Sequence, residues 1–249
     1  MMRMMMRLLI TAVAPLLAAG SALAADLPQP PPPQAPATYL PVAAPVYNWG
    51  GIYFGVNGGY GFGTSKWTDP NNPSGLTNTR DFDVSGGLVG ATAGANYQTD
   101  AFVFGVEGDF DASWIHGTTS SAFCGSVGLA AVSCETKNTW LSTIRARAGY
   151  AFDRVLVYGT GGIAFGNIEA GIGGNFDNTA KVGWTAGAGV EVALADNWTA
   201  RLEYLYIDLQ NGSCISTGDC GVDAPLTTVS DSVAFSTSLV RLGLNFKFR

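Results

Sequence analysis

The strongest constraint on how this chain can fold is a two-residue alternation in which the charges keep to one side. Phe102, Phe104, Val106, Phe110, Ala112 and Trp114 alternate with Val103, Gly105, Glu107, Asp109, Asp111 and Ser113. Successive side chains of a strand point to opposite faces. One face of this run is therefore aromatic and aliphatic, while the other carries three carboxylates. The next run answers with bases: Trp140, Ile144, Ala146, Ala148 and Tyr150 alternate with Thr143, Arg145, Arg147 and Gly149.

The same period recurs along the chain from Trp49 onward. A first strand sets Ile52, Phe54, Val56, Tyr60 and Phe62 against Tyr53, Gly55, Asn57, Gly59 and Gly61. A weaker second sets Val89, Ala91, Ala93, Ala95 and Tyr97 against Leu88, Gly90, Thr92, Gly94 and Asn96. A fifth, from Val155 to about Ile168, is glycine-rich and its facing is ambiguous. The sixth places Val182, Trp184, Ala186, Ala188, Val190, Val192 and Leu194 opposite Lys181, Thr185 and Glu191. In the seventh, Ala200, Leu202, Tyr204 and Tyr206 oppose Arg201 and Glu203, with Asp208 as the exception on the apolar side. The eighth sets Val240, Leu242, Leu244, Phe246 and Phe248 against Arg241, Asn245 and Lys247. No helical period appears after the N-terminal leader, so the expected class is all-β.

Connections alternate in length. Residues Gln98 to Ala101, Ala151 to Arg154 and Ala195 to Trp198 read as tight turns. The links between them, about 64–81, 115–138, 169–180 and 210–231, are longer and polar. Short periplasmic turns and long external loops are how bacterial outer-membrane barrels are built. The pattern predicts an eight-stranded antiparallel up-and-down transmembrane β-barrel over 49–249, with both chain ends on the periplasmic side. Aromatic residues suit two interfacial girdles: Tyr47, Trp49, Tyr97, Phe102, Tyr150, Trp198, Phe246 and Phe248 at one end, Trp114, Trp140 and Trp184 at the other.

Composition agrees. Only 13% of residues are charged against 47% hydrophobic, where soluble domains carry about a quarter charged. No stretch after the leader has the roughly 20 consecutive apolar residues of a membrane helix. A Lys or Arg facing lipid at mid-bilayer costs about 2–4 kcal/mol, so the charged face must be the lumen. There Glu107, Asp109, Asp111, Glu191 and Glu203 meet Arg145, Arg147, Arg201, Arg241 and Lys247. Eight strands leave room only for side chains to fill the interior. Packing and register account for this set; a charged pore constriction is the alternative.

The first 24 residues read as a secretory signal, with Arg3 and Arg7 ahead of the apolar run Leu8 to Ala19. Ala22-Leu23-Ala24 is a small-residue site, giving cleavage between Ala24 and Ala25; an uncleaved membrane anchor is the alternative. Loss of two basic residues takes the formal charge from −6 to −8, which argues against nucleic-acid binding. Residues 25–48 form a proline-rich periplasmic segment (Pro30-Pro31-Pro32-Pro33) that favours extended conformation and builds no core. It reads as a spacer, with a peptidoglycan contact as the alternative.

The four cysteines fall in the long links as Cys124 with Cys134 and Cys214 with Cys220. Export to an oxidising compartment favours disulfides over metal. Four cysteines allow three connectivities; pairing within each link closes the shorter loops, and a cross-link bridge is the runner-up. The single histidine, His116, reads as a solvated loop residue rather than a haem or metal ligand. With one histidine there is no Ser-His-Asp set, so no catalytic, cofactor or metal residue is expected. Gly159-Thr160-Gly161-Gly162 resembles a nucleotide loop only superficially, because no helix follows it.

Four segments in order carry a family resemblance: Trp49-Gly50-Gly51-Ile52-Tyr53-Phe54-Gly55, Val157-Tyr158-Gly159-Thr160-Gly161-Gly162, Arg201-Leu202-Glu203-Tyr204-Leu205-Tyr206, and Val240-Arg241-Leu242-Gly243-Leu244-Asn245-Phe246-Lys247-Phe248. From Trp49 to Phe248 the chain resembles the small porin-like, immunogenic outer-membrane proteins of Gram-negative bacteria, within the OmpA-like and opacity-protein-like barrels. The resemblance implies a surface antigen that supports envelope integrity, with external loops contacting the environment and no catalytic residues. Some relatives are described as porin-like and some as haemin-binding, so a narrow porin and a haemin or ligand receptor are the alternative expectations. The implied partners are outer-membrane lipid and the assembly machinery, which reads a terminal aromatic. Here Arg249 follows that position, so Phe246 and Phe248 would carry the signal one residue early.

Overall fold

The computed structural model describes residues 47–68, 77–120, 133–172, 175–213 and 232–248. Eight strands run in chain order: β1 (Gly51–Thr68), β2 (Phe82–Thr99), β3 (Phe102–Ser120), β4 (Ser133–Phe152), β5 (Val155–Ile172), β6 (Asn175–Ala193), β7 (Trp198–Ser213) and β8 (Ser232–Lys247). Each pairs antiparallel with the next, and β8 returns to β1 from Tyr53↔Lys247 to Thr68↔Ser232, closing the barrel. Closure removes the exposed strand edges that an open sheet would present to lipid.

The tight turns fall where the sequence places them. β2–β3 and β4–β5 are joined by two residues each, 100–101 and 153–154. Asp100 (φ 51°) and Asp153 (φ 53°) take the left-handed conformation these reversals need. Aspartate tolerates it because its short side chain can bond locally to the backbone.

Facing follows the alternation. Leu242, Val106, Val56, Ile144 and Phe110 point outward and are more than half exposed, whereas Arg241 and Arg145 are 1% exposed inside. The ambiguous fifth strand is resolved: Val157 and Ile163 face out, and Leu156, Tyr158 and Ala164 are buried.

Two expectations change. The long links are shorter than the sequence reading gave, because the strands continue well beyond the lipid-facing band. The 169–180 link is nearly all strand, with β5 running to Ile172 and β6 resuming at Asn175. The reason is an inversion of the pattern. Above the band the inner face turns apolar (Trp67, Ile115, Ile168, Phe235) and the outer face polar (Lys66, His116). Water now wets the outside, so the same barrel wall reads in opposite phase. His116 and Cys134 accordingly lie in β3 and β4, not in loops. Tyr47 and Trp49 are the second change. They are 8% and 2% exposed and fold into the barrel's mouth instead of joining the girdle, whose Tyr97, Phe102, Tyr150, Trp198 and Phe248 do face outward.

Candidate functional site: a filled lumen

The inner faces of the strands form three layers. The middle layer is ionic. Arg145 on β4 contacts Glu107 at 2.5 Å, Asp109 at 2.8 Å and, across the lumen on β7, Glu203 at 3.1 Å. Arg241 on β8 reaches Asp111 at 2.7 Å, Glu203 at 2.7 Å and Asp109 at 3.2 Å. Arg201 bonds Glu107 at 2.5 Å, and Arg147 bonds Glu191 at 2.7 Å. Nine of the ten charges assigned to the lumen are thereby joined. Lys247 lies lower, at the turn end, where its Nζ donates to the Asn48 carbonyl and sits 4.3 Å from the Tyr47 ring centroid.

Neutral groups complete this layer. The Tyr53 hydroxyl donates to Glu107 at 2.6 Å and accepts from Arg147 at 3.0 Å. Tyr158 donates to Glu203 at 3.0 Å, and the Arg147 guanidinium lies 3.9 Å from its ring centroid, within cation–π range. Thr143 donates to Asp109 and Asn245 to Glu191, while Thr92 accepts from Arg201. Tyr53 needs room, and Gly94 supplies it: a Cβ there would meet the Tyr53 hydroxyl at 2.4 Å. The inner-face positions of Tyr53, Thr143 and Asn245 are readable from alternation. Their partners are not, because cross-lumen neighbours depend on closure.

The outer layer, which the sequence reading missed, is mainly apolar, with Ser65 and Thr136 buried in it and Trp67 donating its indole N–H to Thr136 at 2.9 Å. Trp67, Ile115, Leu141, Ile168, Leu205, Ile207, Leu209, Phe235 and Leu239 are at most 2% exposed and belong to one buried cluster. Lys181 borders it, donating to the Val233 carbonyl at 2.7 Å. Trp67 and Ile115 fall in segments read as loops; Leu141, Leu205, Ile207 and Leu239 sit as scattered apolar residues on an otherwise polar strand face, which is the available signal. At the turn end a smaller cluster joins Tyr47, Trp49, Val103, Ala151, Leu156, Tyr158 and Ala193. Trp49 donates its backbone N–H to Gln98 at 2.6 Å and its indole N–H to the Asp153 carbonyl at 2.9 Å. Tyr47 donates to the Asp153 carboxylate through its backbone N–H and to the Asp196 carbonyl through its hydroxyl. All three turn regions are thus tied to residues 47–49.

The remaining assigned residues lie elsewhere. His116 is exposed on β3, its Nδ1 3.0 Å from the Trp114 carbonyl oxygen. Cys134 is fully buried at the start of β4, and no described cysteine is a free thiol. Cys124, Cys214, Cys220, Ala24, Ala25 and Arg249 lie outside the described residues. The Phe248 N–H donates to the Ile52 carbonyl at 2.9 Å and Phe246 pairs with Phe54, so the terminal aromatics lie at the turn end of the β8–β1 seam.

The family comparison agrees with an outer-membrane barrel. The model of the outer membrane protein beta-barrel domain matches residues 12–248. The chain is 38% identical to the 31 kDa outer-membrane immunogenic protein of Brucella melitensis, over 84% of this chain and 88% of that one. It is 36% identical to the 25 kDa outer-membrane immunogenic protein of Brucella canis, over 99% and 100%. Among solved structures, the outer membrane protein OprG from Pseudomonas aeruginosa aligns with 80% of this chain and 97% of its own, at 11% identity and a TM-score of 0.49.

Proposed function

The chain belongs to the outer-membrane protein β-barrel family, and from that premise we propose that it is a non-conducting structural barrel and surface antigen that supports the envelope. The filled lumen carries this reading. A permeating ion would have to pass the aromatic cap at residues 47–49, then a dense ionic layer, then an apolar layer of fully buried side chains. The last is the strongest barrier, since an unhydrated ion among mainly apolar, fully buried side chains is very costly. The relatives' designation as outer-membrane immunogenic proteins supports exposure of the external loops to the environment.

Several partnerships follow as part of the proposal. Phe246 and Phe248 present the assembly signal, the proline-rich segment is a periplasmic spacer, and Cys124–Cys134 and Cys214–Cys220 staple the external ends. Planar-bilayer recording of the purified protein tests the central point. No stable steps above the lipid baseline are expected. Reproducible conductance steps would overturn the sealed-lumen reading in favour of a narrow porin.

A further inference from the structure

Ser142 on β4 and Ser238 on β8 lie on opposite sides of the barrel, and both point outward. Ser142 hides its hydroxyl from lipid by donating to the Asp109 carbonyl of the neighbouring strand at 2.7 Å. The hydroxyls of the β7–β8–β1 wall are arranged differently. Ser238 bonds the Tyr204 hydroxyl at 2.9 Å, and Ser236 the Thr64 hydroxyl at 3.3 Å. A hydroxyl has one donor and two acceptor positions, so each pair uses one O–H and turns the other outward. Two charges flank the same strand. Asp208 on β7 is a register partner of Ser236, and Lys66 on β1 lies two residues beyond Thr64, the partner of Ser236 on its other side. Both charges point outward at the rim of the apolar band, and no ion pair joins either to another described residue.

We propose that this wall is a contact between two copies of the chain, related by a twofold axis along the membrane normal. Copies inserted in the same orientation keep equal heights about such an axis. With β8 nearest the axis, the β1 side of one copy meets the β7 side of the other. Lys66 then faces Asp208 of the second copy, and Asp208 faces its Lys66. The patch is therefore complementary to itself, as an isologous contact requires. The outward O–H groups meet a matching row of donors and acceptors, which acyl chains do not offer. The wall is also hollowed where the copies would approach. Two adjoining hollows share Thr64 and Ser236, small side chains set between Tyr60 and the Trp184–Tyr206 ring pair, whose centroids are 5.4 Å apart. No lumen side chain takes part, so the contact is independent of whether the lumen conducts.

Native mass spectrometry of the full chain, refolded in detergent and followed over a range of protein concentrations, tests it by charge reversal. The wild type is expected to dimerise. D208K and K66D should each weaken the dimer by at least about tenfold, because each reversal sets like charges against one another twice per contact. D208K/K66D, and equally a mixture of the two single variants, should return to within about threefold of the wild type, since opposite charges face again. Migration of the unboiled proteins on gels reads folding separately. A wild type that stays monomeric at every concentration overturns the proposal without requiring any variant to fold. A dimer indifferent to both reversals would lie on another wall and overturn it as well. So would a double variant no tighter than the single ones.

Discussion

Arg241 contacts three carboxylates and is 1% exposed. Taking away one member of such a set leaves buried charge uncompensated, which typically costs about 3–5 kcal/mol. R241L should therefore lower the barrel's unfolding free energy in lipid vesicles by about that amount, measured by urea titration of tryptophan fluorescence. Asp111 has Arg241 as its ion partner, so R241L/D111L should recover part of the loss. A double variant weaker than R241L would contradict the pairing. Moderate salt should shift neither, because buried pairs escape the screening that weakens surface ones. At this scale the sequence discloses which charges face inward, since alternation alone sorts Arg241 from Leu242. It does not disclose that Arg241 shares Glu203 with Arg145, because those two strands meet only across a closed lumen.

Each strand serves two environments, and its sequence changes phase where it leaves lipid. Leu242 is 65% exposed within the apolar band, whereas His116 faces out beyond Trp114. Lipid-facing arginine costs about 2–4 kcal/mol at mid-bilayer and about 0–1 near the interface. L242R should accordingly destabilise the vesicle-inserted barrel by about 2–4 kcal/mol and H116R by less than about 1. Similar losses for both would place the membrane boundary elsewhere. Within the band the strands were legible, and so was their facing except in glycine-rich β5, because lipid outside and charge inside give maximal contrast. Beyond it, segments such as 115–120 and 169–172 look like loops because serine, threonine and glycine dilute the inverted pattern. The apolar layer was hidden by the same inversion.

For the barrel unit, two separate buried clusters lie on either side of the ionic layer, and the sealed lumen proposed above rests on both. W49A should loosen the turn-end seal, exposing the lower lumen to a water-soluble quencher of tryptophan or tyrosine emission, yet leave bilayer conductance at baseline because Ile207, Leu209 and Phe235 still close the outer half. Conductance in W49A alone would show that the cap is the only barrier. The cap has a consequence in time as well as in space. Residues 47–49 find their partners on Gln98, Asp153, Asp196 and Lys247, sites that come together only when the first and last strands have met. The earliest part of the barrel unit to be synthesised is thus among the last to be seated. A protease that cuts near residue 47 during assembly, and not afterwards, would serve as a clock for the moment the cylinder shuts.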